Sequence, residues 1–222
     1  MKKSVSIITS VLITVLAALL IVSVSISLPI LIRPFYYAQI EHLDLPSWAT
    51  YERARLAYDE MMDYCLGLSS EFSAGGLKFS EEGVSHFDDV RVLFFVDFAI
   101  IIASALLLAA IFITLKLTKV KPYRFFGRSA PFWSVVSIGS ICSAIGIACA
   151  VNFRQTFIFF HKIFFVGKEN WAFDPSKDPI ILLLPNQFFS NCGLLIFTSV
   201  LLFSIAIMLY EFIPRKKLKK IE

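Results

Sequence analysis

Four long apolar stretches dominate the pattern of this chain. They cover residues 5–32, 93–117, 132–153 and 188–212. A helix needs about 20 apolar residues to cross the hydrocarbon core of a bilayer, and each stretch reaches that length. The pattern therefore predicts an all-α membrane protein with four transmembrane helices in a single polytopic domain.

Two long polar segments, residues 33–92 and 154–187, are predicted to lie on the same side of the membrane. Within the first loop, apolar side chains at spacings of three and four over residues 48–66 indicate a helix. A Gly-Gly pair at 75–76 indicates a turn. Ser80 precedes two acidic residues and is typical of a helix N-cap. A second helix is expected to start there and to continue into the second span.

The distribution of charge predicts the orientation of the helices. One side of the predicted membrane carries 12 basic residues and two acidic ones, Glu211 and Glu222, whereas the other carries nine basic and 15 acidic residues. Because basic residues near helix ends face the cytoplasm, both termini are predicted to be cytoplasmic and the two polar segments extracytoplasmic. The 12 basic residues are Lys2, Lys3, Lys116, Lys119, Lys121, Arg124, Arg128, Arg215, Lys216, Lys217, Lys219 and Lys220. The basic tail is expected to contact anionic membrane lipid.

Composition excludes several classes of protein. Hydrophobic residues make up 57% of the 222 residues and charged residues 17%, which excludes an ordinary soluble domain. The four cysteines show no disulfide framework and no metal-binding spacing, and no cofactor motif occurs. The first apolar stretch is too long for a cleaved signal peptide and is interpreted as an uncleaved anchor. Topology explains the basic cytoplasmic loop, so nucleic-acid binding is rejected.

Small residues are frequent in the third apolar stretch, where Gly139 and Ser143 have a small-xxx-small spacing. Such residues let two helices approach closely. We expect close helix packing there and no functional role.

The three histidines are the candidate acid–base groups, and all of them fall in the two polar loops. In a helix that starts at Ser80, His86 and Asp89 share one face, so Asp89 could orient the imidazole. His42 lies in an acidic stretch and is expected to be structural or solvated.

His161 lies within a run of aromatic residues. If this run is helical, Phe157, His161, Phe164 and Phe165 share one face. The simplest interpretation of one such histidine is an aromatic belt at the membrane interface. Two histidines near membrane entry points on the same side favour a shared site.

In these residues the chain resembles the bacterial lipoprotein intramolecular transacylases, and the resemblance covers nearly the whole chain. The segments that carry it are Leu56-Ala57-Tyr58-Asp59, Met62-Asp63-Tyr64, Phe79-Ser80, His86-Phe87-Asp88-Asp89-Val90-Arg91, Phe160-His161, Asn170-Trp171, Phe173-Asp174-Pro175, Asp178 and Pro185. One departure is Gly83, where a Glu would complete a capping box with Ser80.

The resemblance implies a four-helix membrane domain under an extracytoplasmic cap, with His86 and His161 as catalytic residues. It implies transfer of the sn-2 acyl chain of a diacylglyceryl group to the α-amino group of the same lipoprotein's N-terminal cysteine. The product is a lyso-form lipoprotein, the partner a diacylated lipoprotein, and no cofactor or metal is needed. Further site residues are expected to be Tyr58, Asp89, Arg154, Asn170, Trp171 and Asp174.

Three of these, Tyr58, Arg154 and Asn170, are candidate donors to the oxyanion of the reaction. Two other functions remain open from the residues alone. One is a lipoprotein or phospholipid deacylase, in which the same histidines activate water. The other is a non-enzymatic membrane protein that binds a partner through its cap.

Overall fold

The structure is a computed structural model that describes residues 2–213. The basic tail of the predicted cytoplasmic side, Arg215 to Lys220, lies outside the described residues. The helices are α1 (Lys2–Leu31), α2 (Pro34–Tyr37), α3 (Tyr51–Cys65), α4 (Glu81–Thr118), α5 (Ala130–Phe164) and α6 (Asn186–Phe212), with 3₁₀ turns at Ile40–His42 and Pro179–Leu183. The described residues contain no β-strand, so the predicted all-α class is confirmed.

Four of these helices, α1, α4, α5 and α6, are long and apolar enough to cross a membrane. They contain the four predicted spans, except that α1 ends one residue before the predicted end of the first span at residue 32. Helix α4 begins at Glu81, well before the second span, as the N-cap at Ser80 predicts. The Ser80 hydroxyl accepts a hydrogen bond from the backbone N–H of Gly83 at 3.0 Å.

Helix α5 consists of two helical pieces that meet at Asn152, whose backbone is extended at φ −158° and ψ 92°. The Asn152 side chain accepts a hydrogen bond from the backbone N–H of Gln155 at 3.0 Å, which is the geometry of a new N-cap. A second helix therefore begins where the third apolar stretch ends, and it carries His161.

One compact unit of the chain contains residues 2–25, 100–144 and 197–213, and we call it the apolar unit. Its buried apolar core comprises Ile21, Ile138 and Val200. The prediction of close packing at Gly139 is wrong for the described residues: a Cβ there would meet no atom within 4 Å, and Ser143 is exposed.

The other compact unit, which we call the histidine unit, contains residues 26–99 and 145–196. Its centre is Tyr36, which is fully buried, stacks on Tyr58 at 4.0 Å between ring centroids and donates its hydroxyl to the Leu183 carbonyl at 2.9 Å. Helix α3 contributes much of this core. Its observed bounds lie within the predicted 48–66 helix, and positive φ at Gly75 and Gly76 confirms the predicted turn.

Candidate active site

The N-terminal part of α4 and the second piece of α5 bring two histidines together. His86 is 6% exposed and His161 is 8% exposed. Their rings are stacked, with centroids 5.9 Å apart and an interplanar angle of 29°. The two histidines that lie near membrane entry points in the sequence therefore share one site. His42 is exposed, as expected.

Aromatic rings enclose both imidazoles. Phe165 and Phe173 lie 4.9 and 5.3 Å from His86, and Phe157 and Trp171 lie 4.2 and 5.1 Å from His161, all between ring centroids. Surroundings of this kind hold few polar partners for a charge and favour the neutral form of an imidazole.

Phe157 and Phe165 contact His161 as the helical face predicts. Phe164, the third aromatic residue assigned to that face, is half exposed and pairs with Phe160 instead. The prediction for Phe164 is therefore wrong.

The hydrogen bonds of the two imidazoles differ. Nδ1 of His161 lies 2.8 Å from the Phe157 carbonyl oxygen, which can only accept, so Nδ1 carries the hydrogen. In the neutral ring this leaves Nε2 with its lone pair free. Nδ1 of His86 is buried and has no hydrogen-bond partner among the described residues.

Asp178 from the second loop holds the start of α4. Its carboxylate accepts from the Ser80 backbone N–H at 2.8 Å and from the Ser80 hydroxyl at 2.7 Å. In a capping box, a Glu three residues after the N-cap makes the first of these bonds. A Cβ at Gly83 would lie 2.2 Å from Asp178 Oδ1, so the glycine makes room for a carboxylate supplied from elsewhere in the chain.

Asp89 does not orient His86 by a direct hydrogen bond, which corrects the expectation from the sequence. Lys168 donates to Oδ1 of Asp89, and the Asn170 amide donates to Oδ2 at 3.0 Å. Sequence reasoning did not single out Lys168, because nothing local relates it to α4.

The other predicted site residues have separate positions. Trp171 contacts His161, while Tyr58 is buried in the core with Tyr36 and Phe188. Arg154 is exposed and makes no hydrogen bond or ion pair with another described residue. Asp174 is exposed and accepts from the Ser176 backbone N–H at 2.8 Å, which lowers the pKa of its carboxyl and builds a turn.

No group of three or more His, Cys, Asp or Glu residues within 2–213 is arranged to hold a metal ion. Cys65 is the one cysteine of the long first loop, and burial raises the pKa of its thiol to about 12. The thiol stays protonated at neutral pH, so Cys65 is not an activated nucleophile.

An all-α membrane fold with a buried, aromatic-lined histidine pair defines an integral membrane protein equipped for acid–base chemistry. The sequence model of the family "Lipoprotein intramolecular transacylase Lit" matches residues 11–189. The chain belongs to this family and is an intramolecular acyltransferase that acts on lipoproteins. The resemblance in the sequence is confirmed.

Solved structures of the transacylase Lit from Bacillus cereus share the fold. One is 24% identical in sequence, with a TM-score of 0.82 over 96% of this chain and 97% of that chain. Two others, each with one histidine replaced, are 23% and 24% identical, with TM-scores of 0.77 and 0.76. They cover 97% and 96% of this chain and 94% and 95% of their own. A search of curated proteins finds no match.

Proposed function

We propose that His86 and His161 catalyse transfer of the sn-2 acyl chain of a diacylglyceryl lipoprotein to the α-amino group of its N-terminal cysteine. One ester C–O bond breaks, one amide C–N bond forms, and one proton moves from nitrogen to the glyceryl oxygen. The observation that carries the proposal is the stacked histidine pair, because this reaction needs one group to accept a proton and another to donate one.

The hydrogen bonds of the two rings suggest their roles. His86, with no partner on Nδ1, accepts the proton of the attacking amine. Burial lowers the pKa of His161, and the bond from its Nδ1 to the Phe157 carbonyl opposes part of that lowering, so we assign His161 as the ring that carries the proton and donates it from Nε2 to the departing oxygen.

Protonation of the leaving oxygen is the larger requirement. An α-amine has a pKa near 8, so freeing it at neutral pH costs only about 1 kcal/mol. An alkoxide resembles hydroxide, whose conjugate acid has a pKa of about 15.7. An imidazolium with the ordinary pKa of about 6.5 bridges a gap of about 9 units, or about 12 kcal/mol. Burial lowers the pKa of His161 and so makes its imidazolium a stronger acid. Loss of the acid is therefore expected to be at least as damaging as loss of the base.

The aromatic enclosure favours transfer over hydrolysis. Both imidazoles are more than nine-tenths buried, so few water molecules can compete with the amine. Donor and acceptor belong to one substrate, and holding them in the reactive geometry can lower the barrier by about 7–11 kcal/mol through effective molarity. Trp171 beside His161 and Asn170 beside Asp89 are proposed to support substrate binding.

The proposed topology has both termini in the cytoplasm, one polytopic domain and the histidines on the extracytoplasmic side of the plasma membrane. The unequal distribution of basic residues supports it. Ser70→Cys should react with an impermeant thiol reagent from outside intact cells, and Lys121→Cys should not, with the unmodified chain as background. Both positions are exposed. Reversed labelling would contradict the orientation.

The decisive test of the reaction uses purified protein and a diacylglyceryl lipopeptide. Acyl migration is an isomerisation, so the intact mass must stay constant while the amino terminus becomes blocked. One chain should become amide-linked and resist mild alkali that removes the remaining ester.

A deacylase would instead give a lighter lipopeptide with a reactive amine, and that product would overturn the proposed mechanism. A partner-binding protein would give no product with any acyl chain.

A further inference from the structure

A small charged cluster lies beside the histidine pair. Asp89, three residues after His86 on α4, accepts from the Lys168 ammonium and from the Asn170 amide. The same amide also donates to the Ser85 hydroxyl at 3.3 Å. The cation next to this carboxylate thus comes from the loop that follows α5.

The orientation of the Asn170 amide follows from its partner. A carboxylate only accepts hydrogen bonds, so the amide nitrogen must face Asp89. The amide oxygen Oδ1 therefore points elsewhere, and it is buried without a hydrogen-bond partner among the described residues. A buried carbonyl oxygen without a donor is costly, so the site is built to receive one.

The acceptors of this cluster fit an ammonium group. The Asp89 carboxylate offers about four lone-pair positions, of which Lys168 and Asn170 use two, and Asn170 Oδ1 adds another acceptor. An ammonium brings three N–H donors and one positive charge. The group already bound to Asp89 is an ammonium, that of Lys168.

We propose that Asp89 and Asn170 bind the α-ammonium group of the lipoprotein's N-terminal cysteine, and that Lys168 holds this position until the substrate displaces it. The inference rests on the proposed function, since it assigns the amine end of that substrate. Lys168 is suited to leave because its side chain is half exposed. It also follows Gly167, whose φ of +74° marks a turn in the loop.

This exchange links binding to the direction of the reaction. A bound α-ammonium would lie next to His86, the group that takes its proton. Transfer turns the amine into a neutral amide, which has no charge to pair with Asp89. Lys168 then returns to the carboxylate and the product is released. Substrate and product are thus told apart by charge.

The test compares two diacylglyceryl lipopeptides that differ only in the α-amino group, which one of them lacks. Binding is measured with the full-length His161→Ala variant, so turnover does not interfere. The lipopeptide with the amine should bind about tenfold more tightly at pH 7, as expected for hydrogen bonds to a charged group. Asp89→Asn should bring the ratio close to one.

Two further measurements separate recognition from a structural role. Lys168→Gln removes the competing ammonium, so it should strengthen binding of the amine lipopeptide severalfold and leave the other unchanged. Lys177→Gln, an exposed lysine of the same loop, is the matched control and should change neither. The ratio should also fall towards one above about pH 9, because an α-amine loses its charge near pH 8. The charged and titratable neighbours of Asp89 are Lys168 and His86.

Equal weakening of both lipopeptides by Asp89→Asn and Lys168→Gln, with lower thermal stability, would overturn the inference and leave a structural ion pair. The mass assay on the wild-type protein decides the proposed function separately. A tenfold difference in affinity between the two lipopeptides without isomerised product would refute the transacylation and keep the ammonium site. Isomerised product with equal affinities for the two lipopeptides would support the transacylation and refute the ammonium site.

Discussion

The histidine unit and the apolar unit differ in what holds them together. The core of the histidine unit contains 19 buried apolar residues and that of the apolar unit contains three. In the apolar unit, large side chains such as Leu106, Ile141 and Leu202 are mostly exposed. Exposed apolar side chains are stable against lipid, where burial between helices brings no hydrophobic gain.

The two units also differ in the elements that their polar contacts join. In the histidine unit, Arg33, just after α1, forms ion pairs with Asp63 at 2.5 Å and Asp59 at 3.3 Å, both on α3. The Ser80 hydroxyl at the start of α4 donates a hydrogen bond to Asp178 of the second loop. In the apolar unit, short hydrogen bonds attach α1 to the α4–α5 connection, from Ser6 to Lys121 and from Ser10 to Tyr123. The difference teaches that the histidine pair lies in the unit whose side chains are fixed by a large buried core and by ion pairs.

The largest expected effect is the loss of activity when either histidine of the site is replaced. His86→Ala and His161→Ala should each lower transacylation at least about 100-fold, the usual contribution of general acid–base catalysis. The intact-mass assay measures it. His42→Ala is the control and should retain activity, because its side chain is exposed. Wild-type rates in either site variant would remove that histidine from the mechanism.

The same truncation in the two units tests the difference in packing. Leu183→Ala, at a fully buried position of the histidine unit, should cost about 2–5 kcal/mol of stability. Leu202→Ala in the apolar unit is 62% exposed and should cost far less. Thermal unfolding in detergent compares them. Equal losses would mean that the apolar unit is packed as tightly as the histidine unit.

Gly83 tests whether Asp178 replaces a local cap. Gly83→Ala should destabilise the protein by about 1–3 kcal/mol, since its Cβ would lie 2.2 Å from Asp178 Oδ1. The double variant Gly83→Glu with Asp178→Gly should recover part of the loss by forming a capping box with Ser80. If Gly83→Ala proves harmless, α4 can start without this contact.

The smallest effect is expected in the apolar unit. Arg124 pairs with Glu211 at 2.7 Å; half of the Arg124 side chain is exposed, whereas the Glu211 side chain is 4% exposed and also accepts from the Ser129 hydroxyl at 2.7 Å. Arg124→Gln should cost about 1 kcal/mol, because Ser129 still provides a hydrogen bond to the carboxylate after the guanidinium is lost. Thermal unfolding at low and high salt checks it. A loss as large as that of Leu183→Ala would show that polar contacts dominate this unit.

Much of the candidate site could be predicted from local pattern. The N-cap at Ser80 and the aromatic run around His161 place each histidine near the start or end of an apolar stretch. The prediction that Asp89 contacts His86 is wrong, because i,i+3 spacing shows which residues share a helix face and not which distant groups bind the carboxylate. Lys168, 79 positions away, reaches the carboxylate instead.

Gly83 is the local signal for the role of Asp178: a helix that starts at Ser80 without a Glu at position 83 leaves room for a carboxylate from another part of the chain. Its source could not be predicted, because 98 residues separate Asp178 from Ser80. The buried position of Tyr36 could likewise not be predicted, because its hydroxyl donates to the carbonyl of Leu183, which is 147 residues away.

The sequence by itself determined the membrane class, the four long helices and the family, because helix length, apolar content and local motifs are properties of neighbouring residues. Only the tertiary structure decided the 5.9 Å stacking of His86 on His161, the partner of Asp89 and the carboxylate that caps α4. The physical reason is that side chains far apart in the chain meet only when packing and hydrogen bonding close the loops between them.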